Sequence, residues 1–411
     1  MPELFTLVTI ETALERLRDA VPDVPLSTEQ LLTRQALGRV LAQDIIAPHA
    51  LPAFPRSTVD GYAVRAADTV GASEGLPAYL HVVGELAMGR APELSVAPGE
   101  AVIIHTGGTL PPGADAVVMV EHTQTAASGE IAVMKATAPG RYVIPVGEDV
   151  QAGTQVLAAG RRLRAPEIGG LLALGITEIV VARRPRVAIF STGDELVSPE
   201  QTPGINQVRD INSVAIAALV ETHGGIPLTF PIVPDDADAL YGAAAQAFVR
   251  ADALIITAGS SVSTRDMTVT VIARLGEPGV LVHGVAMRPG KPTILAVCGG
   301  KPVFGLPGNP VSALNAARLF VAPTLWRLQG AAPPRVGCVR ARLTANLPAG
   351  AGRETYISVT LEEREDGLWA HPIFGESNLI FTLVRGEGVV RIPLGVTGLA
   401  AGSVVDVELL T

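Results

Sequence analysis

The sequence predicts a multidomain α+β protein: β-rich N-terminal domains, a central parallel α/β domain and a C-terminal β-barrel-like domain. Its 411 residues have the length of about two to four domains. Apolar and charged residues make up 48% and 17% of the chain, the composition of a globular protein. The third observation is that the residue pattern changes near positions 60, 185 and 335.

The N-terminal part begins with a helical pattern and continues with short strands. Residues 9–20 place apolar and charged residues at helical spacing, and Thr9 is suited to cap that helix. Ser27 and Gln30 fit a capping box, which predicts a second helix start. Between about residues 60 and 160, short β-like runs separated by Gly and Pro predict hairpins or a small barrel.

The remainder of the chain alternates strands and helices and then becomes β-rich. Alternating elements between residues 185 and 330 predict a parallel sheet covered on both faces. Ligands bind such sheets at the carboxyl ends of the strands. After the linker at 331–335, a β-rich segment without a good helix predicts a small barrel or sandwich.

Composition excludes several classes of function. The net charge of −9 and an aromatic content of 4% argue against binding to nucleic acid or anionic membranes. No apolar run reaches the roughly 18 residues of a membrane span, and no signal peptide is recognisable. Cys298 and Cys338 are interpreted as reduced thiols. We therefore expect a cytoplasmic protein.

The first candidate loop, FSTGDEL at residues 190–196, follows an apolar strand. Gly193 allows the backbone to approach a ligand, and Asp194 and Glu195 offer oxygen ligands to a divalent metal ion. A plain turn with a helix-capping Asp explains the same residues, and the loop alone does not decide between them.

A second loop of similar character lies at residues 256–268, ITAGSSVSTRDMT. Gly259 and Ser260 belong to a run of small residues whose N–H and hydroxyl groups suit an anion. Asp266 lies near the start of the next helix, where helix capping is the alternative explanation.

Two further motifs have the chemistry of phosphate sites. In MRPGKPT (287–293), Arg288 and Lys291 flank a Pro-Gly turn, which presents two cations in a fixed geometry unlike a P-loop. In GLPGNPVSA (305–313), Pro307 precedes a Gly-Asn turn at Asn309 that opens a helix. A solvated basic turn and an ordinary strand–turn–helix remain the alternatives.

Polar turns also occur in the N-terminal part, at Asp60 in STVDGYAVR, Thr106 in HTGGTLPPG and Asp149 in VGEDV. Each is explained equally well as a turn residue. GxGxxG, HExxH and GxSxG motifs are absent, which disfavours dinucleotide binding, zinc hydrolysis and a serine nucleophile.

Nine motifs in one order give the chain a strong family resemblance. The chain resembles the molybdopterin molybdotransferases, the molybdenum insertases akin to bacterial MoeA and the E domain of gephyrin. The motifs are STVDGYAVR, TGGTLPPGADAVVMVE, VGEDV, FSTGDEL, RDINS, VPDD, STRDMT, MRPGKP and LPGNPVSA.

The resemblance implies a domain plan and a reaction. Residues 1–180 would form two interleaved domains, 181–330 a molybdopterin-binding α/β domain and 331–411 the C-terminal β domain. Family members are elongated homodimers with sites between subunits. They insert molybdate into adenylylated molybdopterin and release AMP with Mg²⁺. An upstream adenylyltransferase and molybdoenzyme maturation factors would be partners. A non-catalytic pterin-binding scaffold and a tungstate-preferring insertase are the alternatives.

The resemblance also assigns roles to single residues, motif by motif. It implies a catalytic role for Asp60, Glu195, Asp266 and Arg288, and metal binding by Asp194, Glu195 and Asp266. Substrate binding is implied for Thr106, Asp149, Gly193, Asp235, Gly259, Ser260, Lys291, Pro307, Asn309, Arg353 and Ser377. The chain departs from the family pattern in TAGSSVS (257–263), at Gly284 and at Arg288.

Overall fold

The computed structural model describes residues 7–22, 27–126, 129–258 and 262–410, without the side chains of 262–265. Gly259 and Ser260 therefore lie outside the described residues. Within the described ranges, no helix is both long and apolar enough to cross a membrane.

The N-terminal part consists of two helices and many short strands. Its helices are α1 (Ile10–Ala20) and α2 (Ala165–Ala173). Its strands are β1 (Thr28–Leu32), β2 (Ile45–Ile46), β3 (Arg56–Ser57), β4 (Gly61–Val64), β5 (Ala78–Glu85), β6 (Glu100–Ile104), β7 (Ala116–Met119), β8 (Thr123–Thr125), β9 (Glu130–Val133), β10 (Val143–Ile144), β11 (Gln155–Leu157) and β12 (Glu178–Ala182).

The prediction for α1 is confirmed, whereas the predicted helix start at Ser27 is wrong. Thr9 caps α1, and its Oγ1 accepts a hydrogen bond from the Thr12 backbone N–H at 3.1 Å. The chain after Ser27 is β1, which pairs antiparallel with β12. The stabilising partner strand lies about 150 residues away, so tertiary pairing overrides the local capping signal.

The predicted β-rich region is a curved six-stranded sheet in the order β7-β4-β6-β5-β9-β8. Val64, Leu80, Val118 and Ile131 form part of its buried core. Asp60 immediately precedes β4. The pairing of β4 with β6 then brings the end of β6, and the turn after it, close to Asp60.

The central part is an α/β unit with a six-stranded sheet in the order β16-β13-β17-β21-β20-β18. Its strands are β13 (Arg186–Thr192), β14 (Leu196–Val197), β15 (Val208–Arg209), β16 (Ile226–Thr229), β17 (Ala253–Ala258), β18 (Pro278–His283), β19 (Met287–Arg288), β20 (Ile294–Cys298) and β21 (Lys301–Pro307). Its helices are α3 (Asn212–Thr222), α4 (Ala237–Arg250), α5 (Val262–Ala273), α6 (Pro310–Ala316) and α7 (Ala322–Leu328).

The sheet is mixed rather than wholly parallel. Strands β16, β13, β17 and β21 run parallel, as alternating strands and helices require. Strands β18, β20 and β21 follow one another without intervening helices and pair antiparallel. Separate apolar cores cover the two faces, and α1 joins one of them through Ala13 and Leu17.

The C-terminal part contains a closed five-stranded barrel and a short helix, α8 (Phe381–Val384). The strands are β22 (Cys338–Leu343), β23 (Leu347–Pro348), β24 (Glu354–Arg364), β25 (Gly367–Pro372), β26 (Gly388–Ile392), β27 (Gly398–Leu399) and β28 (Val404–Leu409). The ring β24-β25-β22-β28-β26 closes because β24 also pairs with β26, which removes unpaired edges. The predicted β-barrel-like domain is confirmed.

The barrel is fixed to the α/β unit by backbone and side-chain contacts. Strand β19 pairs parallel with β24, so two residues of the α/β part extend the barrel sheet. Arg318, in the helical segment between α6 and α7, donates to Glu408 of β28 at 2.6 Å. Three of the four paired residues of β19 and β24 are buried, the Arg318–Glu408 pair is half-buried, and together these contacts hold the two parts in one orientation.

One buried carboxylate gives a test of the N-terminal fold. Glu167 in α2 accepts hydrogen bonds from the Arg164 and Arg161 guanidinium groups at 2.7 and 2.6 Å. Chiefly the hydrogen bond from Arg164 lowers the pKa of Glu167 from 4.5 to about 2. Since both arginines are half exposed, we expect Glu167→Gln to reduce the free energy of unfolding by only about 1–2 kcal/mol at pH 7.

The pH dependence of that difference provides the check. The folded-state pKa is depressed, so the stabilisation is present above pH 4.5 and declines as the pH falls toward 2. Urea unfolding at pH 7 and pH 3.5 should give a smaller difference at pH 3.5. Glu93→Gln, at an exposed position, is the matched control. A difference independent of pH would contradict this account.

Candidate active site

The carboxyl ends of three parallel strands bring the predicted loops to one edge of the sheet. In the pairing register, Thr192 at the end of β13 lies opposite Ala258 at the end of β17, and Ala258 lies opposite Pro307 at the end of β21. The GDEL loop follows β13 and the Gly-Asn turn follows β21, so both segments lie at this edge of the sheet. The end of β17, which belongs to the 256–268 motif, lies between them.

Hydrogen bonds join the GDEL loop after β13 to the VPDD segment at residues 233–236. The Gly193 N–H donates to the Val233 carbonyl at 3.2 Å. Asp194 accepts the Asp235 N–H at 3.2 Å, and the Thr192 hydroxyl donates to Asp235 at 2.9 Å. The side chain of Asp194 therefore orients the neighbouring loop, while Glu195 remains exposed beside it.

A buried carboxylate that was not among the predicted site residues lies next to this edge. Asp210 is 5% exposed, and its Oδ1 accepts hydrogen bonds from the Ser191 hydroxyl at 2.8 Å and the Ser213 N–H at 3.1 Å. Ser191 also shares a hydrogen bond of 2.6 Å with the Thr257 hydroxyl. In the described part of the chain, Asp210 Oδ2 accepts no hydrogen bond.

Asn212 is a second buried polar residue of the same segment. Its Nδ2 donates to the Gly308 carbonyl at 2.7 Å, which joins the start of α3 to the Gly-Asn turn. Its Oδ1 is closed to solvent and has no partner among the described residues. A buried acceptor without a donor is costly, and a ligand or bound water is the usual explanation.

Glu195, Asp210 and Asn212 line one cavity of about 340 Å³, here called the strand-end cavity. Asn309 and Asn378 also line it. Asp210 and Asn212 belong to RDINS (209–213), one of the nine motifs that carry the family resemblance, and this motif could have marked them as site residues. Composition alone did not reveal that these two side chains would be buried at the sheet edge.

A larger cavity of about 440 Å³ lies between the sheet edge and the barrel and is here called the barrel cavity. It adjoins the strand-end cavity, since both are lined by Gly308 and Asn309. Three cations face one carboxylate, Glu376, in its wall. Six predicted residues line it together: Arg288, Lys291, Pro307, Asn309, Arg353 and Ser377.

The walls of the barrel cavity are held by hydrogen bonds across the joint between the two domains. Asn309 Nδ2 donates to the Ser377 hydroxyl at 2.9 Å, and the Val311 N–H donates to the Ser377 carbonyl at 3.1 Å. On the opposite wall, Arg288 lies in β19 and pairs in register with Thr355 of the barrel. The cations are therefore brought to one cavity by the docking of the barrel.

Asp266 occupies a different position from the one that capping predicts. It is the fifth residue of α5, and its carbonyl, rather than its carboxylate, accepts a hydrogen bond from the Thr270 hydroxyl at 2.9 Å. The carboxylate is exposed. Within the described ranges, no group of three or more His, Cys, Asp or Glu side chains is arranged to hold a metal ion.

The N-terminal candidates line neither cavity. Asp60 accepts hydrogen bonds from the Thr106 N–H at 2.8 Å and the Thr106 hydroxyl at 3.1 Å. These bonds, and more weakly the nearby His105, lower the pKa of Asp60 and keep it ionised. Asp149 lies in an exposed turn whose N–H donates to the Leu51 carbonyl at 3.1 Å. The six-stranded sheet of the N-terminal part therefore brings Asp60 and Thr106 together. The two residues lie outside the cavities that the other candidates line.

This combination defines a class of protein: an α/β protein with a barrel docked at its strand ends and a cavity lined by three cations between the two. Three family models cover most of the chain. "MoeA N-terminal region (domain I and II)" matches residues 8–175, "Probable molybdopterin binding domain" matches 188–327 and "MoeA C-terminal region (domain IV)" matches 340–410. The chain belongs to the MoeA family.

Individual relatives agree with this assignment. A protein of Nostoc sp. named molybdopterin molybdenumtransferase is 37% identical over 375 residues, covering 89% of this chain and 85% of the relative. Molybdopterin molybdenumtransferase 2 of Mycobacterium tuberculosis is 36% identical, covering 92% and 94%. The crystal structure of the MoeA protein from Pyrococcus horikoshii OT3 superposes with a TM-score of 0.86 at 32% identity, covering 98% of this chain and 100% of that one.

The contacts of Asn212 give a test of the edge that carries the site. Asn212→Ala removes the donor to the buried Gly308 carbonyl, and we expect the free energy of unfolding to fall by about 1–2 kcal/mol. Asn378→Ala is the matched control because Asn378 lines the same cavity but is exposed, and its effect should stay within about 0.5 kcal/mol. Urea unfolding of both variants makes the measurement, and equal effects would contradict a structural role for the buried amide.

Proposed function

We propose that this chain is a molybdenum insertase of molybdenum-cofactor biosynthesis, which transfers molybdate into adenylylated molybdopterin with release of AMP. Membership of the MoeA family supports the assignment to molybdopterin molybdenumtransferases. The observation that carries the proposal is the barrel cavity, where six residues implied by the family resemblance line one space.

The cations of the barrel cavity suit an oxyanion substrate. Arg288, Lys291 and Arg353 line one cavity of about 440 Å³, and molybdate and the phosphate of molybdopterin are both anions. Guanidinium groups bind oxyanions through paired N–H donors, and the lysine adds a point charge. The hydroxyl of Ser377, fixed by Asn309, adds a neutral polar contact. In our proposal molybdate binds here.

The acceptors of the strand-end cavity suit the other end of the substrate. Asp210 and Asn212 present oxygen atoms, which bind N–H and O–H donors such as those of a pterin or a ribose. Since the two cavities are contiguous at Gly308 and Asn309, one extended substrate can occupy both. In this arrangement the pterin nucleotide extends from the barrel cavity toward Asp210 and Asn212.

The acidic residues near the sheet edge suit a magnesium ion whose remaining ligands are phosphate oxygens of the substrate. Mg²⁺ is commonly bound by carboxylates together with substrate phosphate oxygens and water, so the carboxylates need not form a complete site before the substrate binds. Asp194, Glu195 and Asp266 are the proposed ligands, with Glu195 in the cavity wall. Bound Mg²⁺ would neutralise charge on the phosphoanhydride. The protein then contributes positioning and charge stabilisation.

The position of Asp60, Thr106 and Asp149 favours a homodimer. These residues line neither cavity of their own chain, yet the family resemblance gives them catalytic and substrate-binding roles. A second subunit whose N-terminal part reaches these cavities would reconcile the two observations. A cytoplasmic homodimer supplied by a molybdopterin adenylyltransferase, and serving molybdoenzyme maturation factors, completes the proposal.

The reaction is tested by Asp266→Asn, which keeps the size of the side chain and removes its charge. We expect AMP release from adenylylated molybdopterin and molybdate to fall at least about 100-fold, as the loss of one metal ligand or charge-stabilising group predicts. Asp238→Asn, at an exposed position in the first turn of α4, should leave the rate unchanged. AMP release is followed in single-turnover experiments.

Three outcomes of the same assay separate the alternatives. Near-normal turnover by Asp266→Asn would refute the assignment of Asp266. Substrate binding without AMP release in the unaltered protein would favour a non-catalytic scaffold. Competition between molybdate and tungstate distinguishes an insertase that prefers tungstate, since the two oxyanions are nearly the same size.

The shared site is tested by complementation between inactive subunits. Asp60→Asn and Asp266→Asn subunits should each be inactive alone. In a mixed dimer, one site would combine an intact Asp60 with the intact Asp266 of the other subunit. Co-refolded equal mixtures should then recover about a quarter of the unaltered activity, because about half of the dimers are mixed and each has one intact site. No recovery would place both residues of each site in one subunit.

A further inference from the structure

A third cavity, of about 500 Å³, lies beneath the 331–335 linker and the two residues that follow it. It is here called the linker cavity. Helices α3, α6 and α7 form one side, and the barrel strands β24, β26 and β28 form the other. It shares four wall residues with the barrel cavity, namely Pro289, Val311, Tyr356 and Ser358. Its volume is that of a typical small-molecule site.

The charged residues in the wall of this cavity all have one sign. Arg162, Arg318 and Arg335 line it, and no Asp or Glu of the described residues does so. The chain as a whole carries a net charge of −9, so a cavity whose charged residues are all arginine differs from the rest of the protein. Within the described ranges, neither Arg162 nor Arg335 pairs with a carboxylate. Two cations therefore remain available for an anion.

The remainder of the wall is apolar and aromatic. Leu219, Leu314, Leu383 and Val389 contribute aliphatic surface. Trp326 contributes an indole that is 2% exposed. Such a wall favours a ligand with a flat or aliphatic apolar body.

Two buried donors beside this wall lack acceptors. Trp326 Nε1 is closed to solvent and has no hydrogen-bond partner in the described part of the chain. The same holds for Nη2 of Arg318, although its Nη1 donates to Glu408 at 2.6 Å. Arg162 lies over the Trp326 ring at 5.0 Å from its centroid, so the cation and the indole form one surface. Unsatisfied buried donors are rare, and two at one cavity indicate a missing acceptor.

We propose that the linker cavity is a second ligand site, which takes a small organic anion with a planar apolar body. The apolar wall would hold the body, and Arg162 and Arg335 at the exposed rim would bind the anionic group. Small adjustments of Trp326 and Arg318 would bring their unpaired donors to the ligand. Binding here does not depend on the proposed transfer reaction.

The probe for this site is 1-anilinonaphthalene-8-sulfonate, an anion with an aromatic body. The chain has two tryptophans, Trp326 and Trp369, so Trp369→Phe leaves Trp326 as the sole indole donor for energy transfer. In that background we expect saturable quenching of Trp326 emission with sensitised probe emission. Arg335→Gln should weaken the affinity at least about fivefold, the effect of one charge-assisted contact.

Three controls make the result specific. Arg340→Gln removes an exposed arginine of β22 outside the cavity and should leave the affinity unchanged. Arg353→Gln alters the barrel cavity and should also have no effect. The uncharged analogue N-phenyl-1-naphthylamine should bind the Arg335→Gln variant as well as it binds the parent protein.

Three outcomes would overturn the proposal. The first is the absence of saturable energy transfer from Trp326. The second is equal weakening by Arg335→Gln and Arg340→Gln, which would indicate general surface charge rather than a site. The third is weakening by Arg353→Gln alone, which would place the probe in the barrel cavity.

Discussion

The pairing of Met287–Arg288 with the barrel strand at Glu354–Thr355 is the constraint on which the proposed site depends. This short parallel pairing makes the loop after β18 a structural part of the barrel, although it belongs to the α/β unit. Without it, Arg288 and Lys291 would lie on an isolated turn, and Arg353 would lie on a separate domain. The backbone thus brings together three cations, whose mutual repulsion would otherwise favour separation.

The opposite wall depends on Ser377, whose hydroxyl and carbonyl are both used for docking. The hydroxyl accepts from Asn309 and the carbonyl from the Val311 N–H, so the 373–377 segment is fixed against the start of α6. Arg318, between α6 and α7, forms a further bridge to Glu408 of the barrel. A substitution in the barrel can therefore alter the shape of the barrel cavity without contacting the substrate, because it changes the orientation of the barrel relative to the α/β unit.

Much of this arrangement could be predicted from the sequence, but for different physical reasons. Pro310 and Thr9 mark helix starts through local geometry, and both starts are found at those positions. The ends of β13, β17 and β21 lie side by side because parallel strands end at one edge of a sheet. In contrast, the helix predicted to start at Ser27 is absent, because the residues after Ser27 pair with the distant strand β12 and form β1 instead.

The burial of Asp210 and Asn212 was not predictable from local pattern. RDINS reads as a polar segment, and only the packing of α3 against the Gly308 turn buries its two polar side chains. The positive charge of the linker cavity was also not predictable from the sequence, because Arg162, Arg318 and Arg335 are far apart in the chain. The proposed roles of Asp60 and Asp266 rest on the family resemblance, because the geometry of one chain does not bring these two residues to a common cavity.

The most direct test of the central claim is a crystal structure with molybdate, adenylylated molybdopterin and magnesium, using anomalous scattering to locate molybdenum. The proposed account predicts a molybdenum peak in the barrel cavity, within reach of Arg288, Lys291 and Arg353, with the pterin nucleotide extending toward Asp210 and Asn212. A molybdenum peak outside that cavity, with the three cations free of ligand, would contradict it.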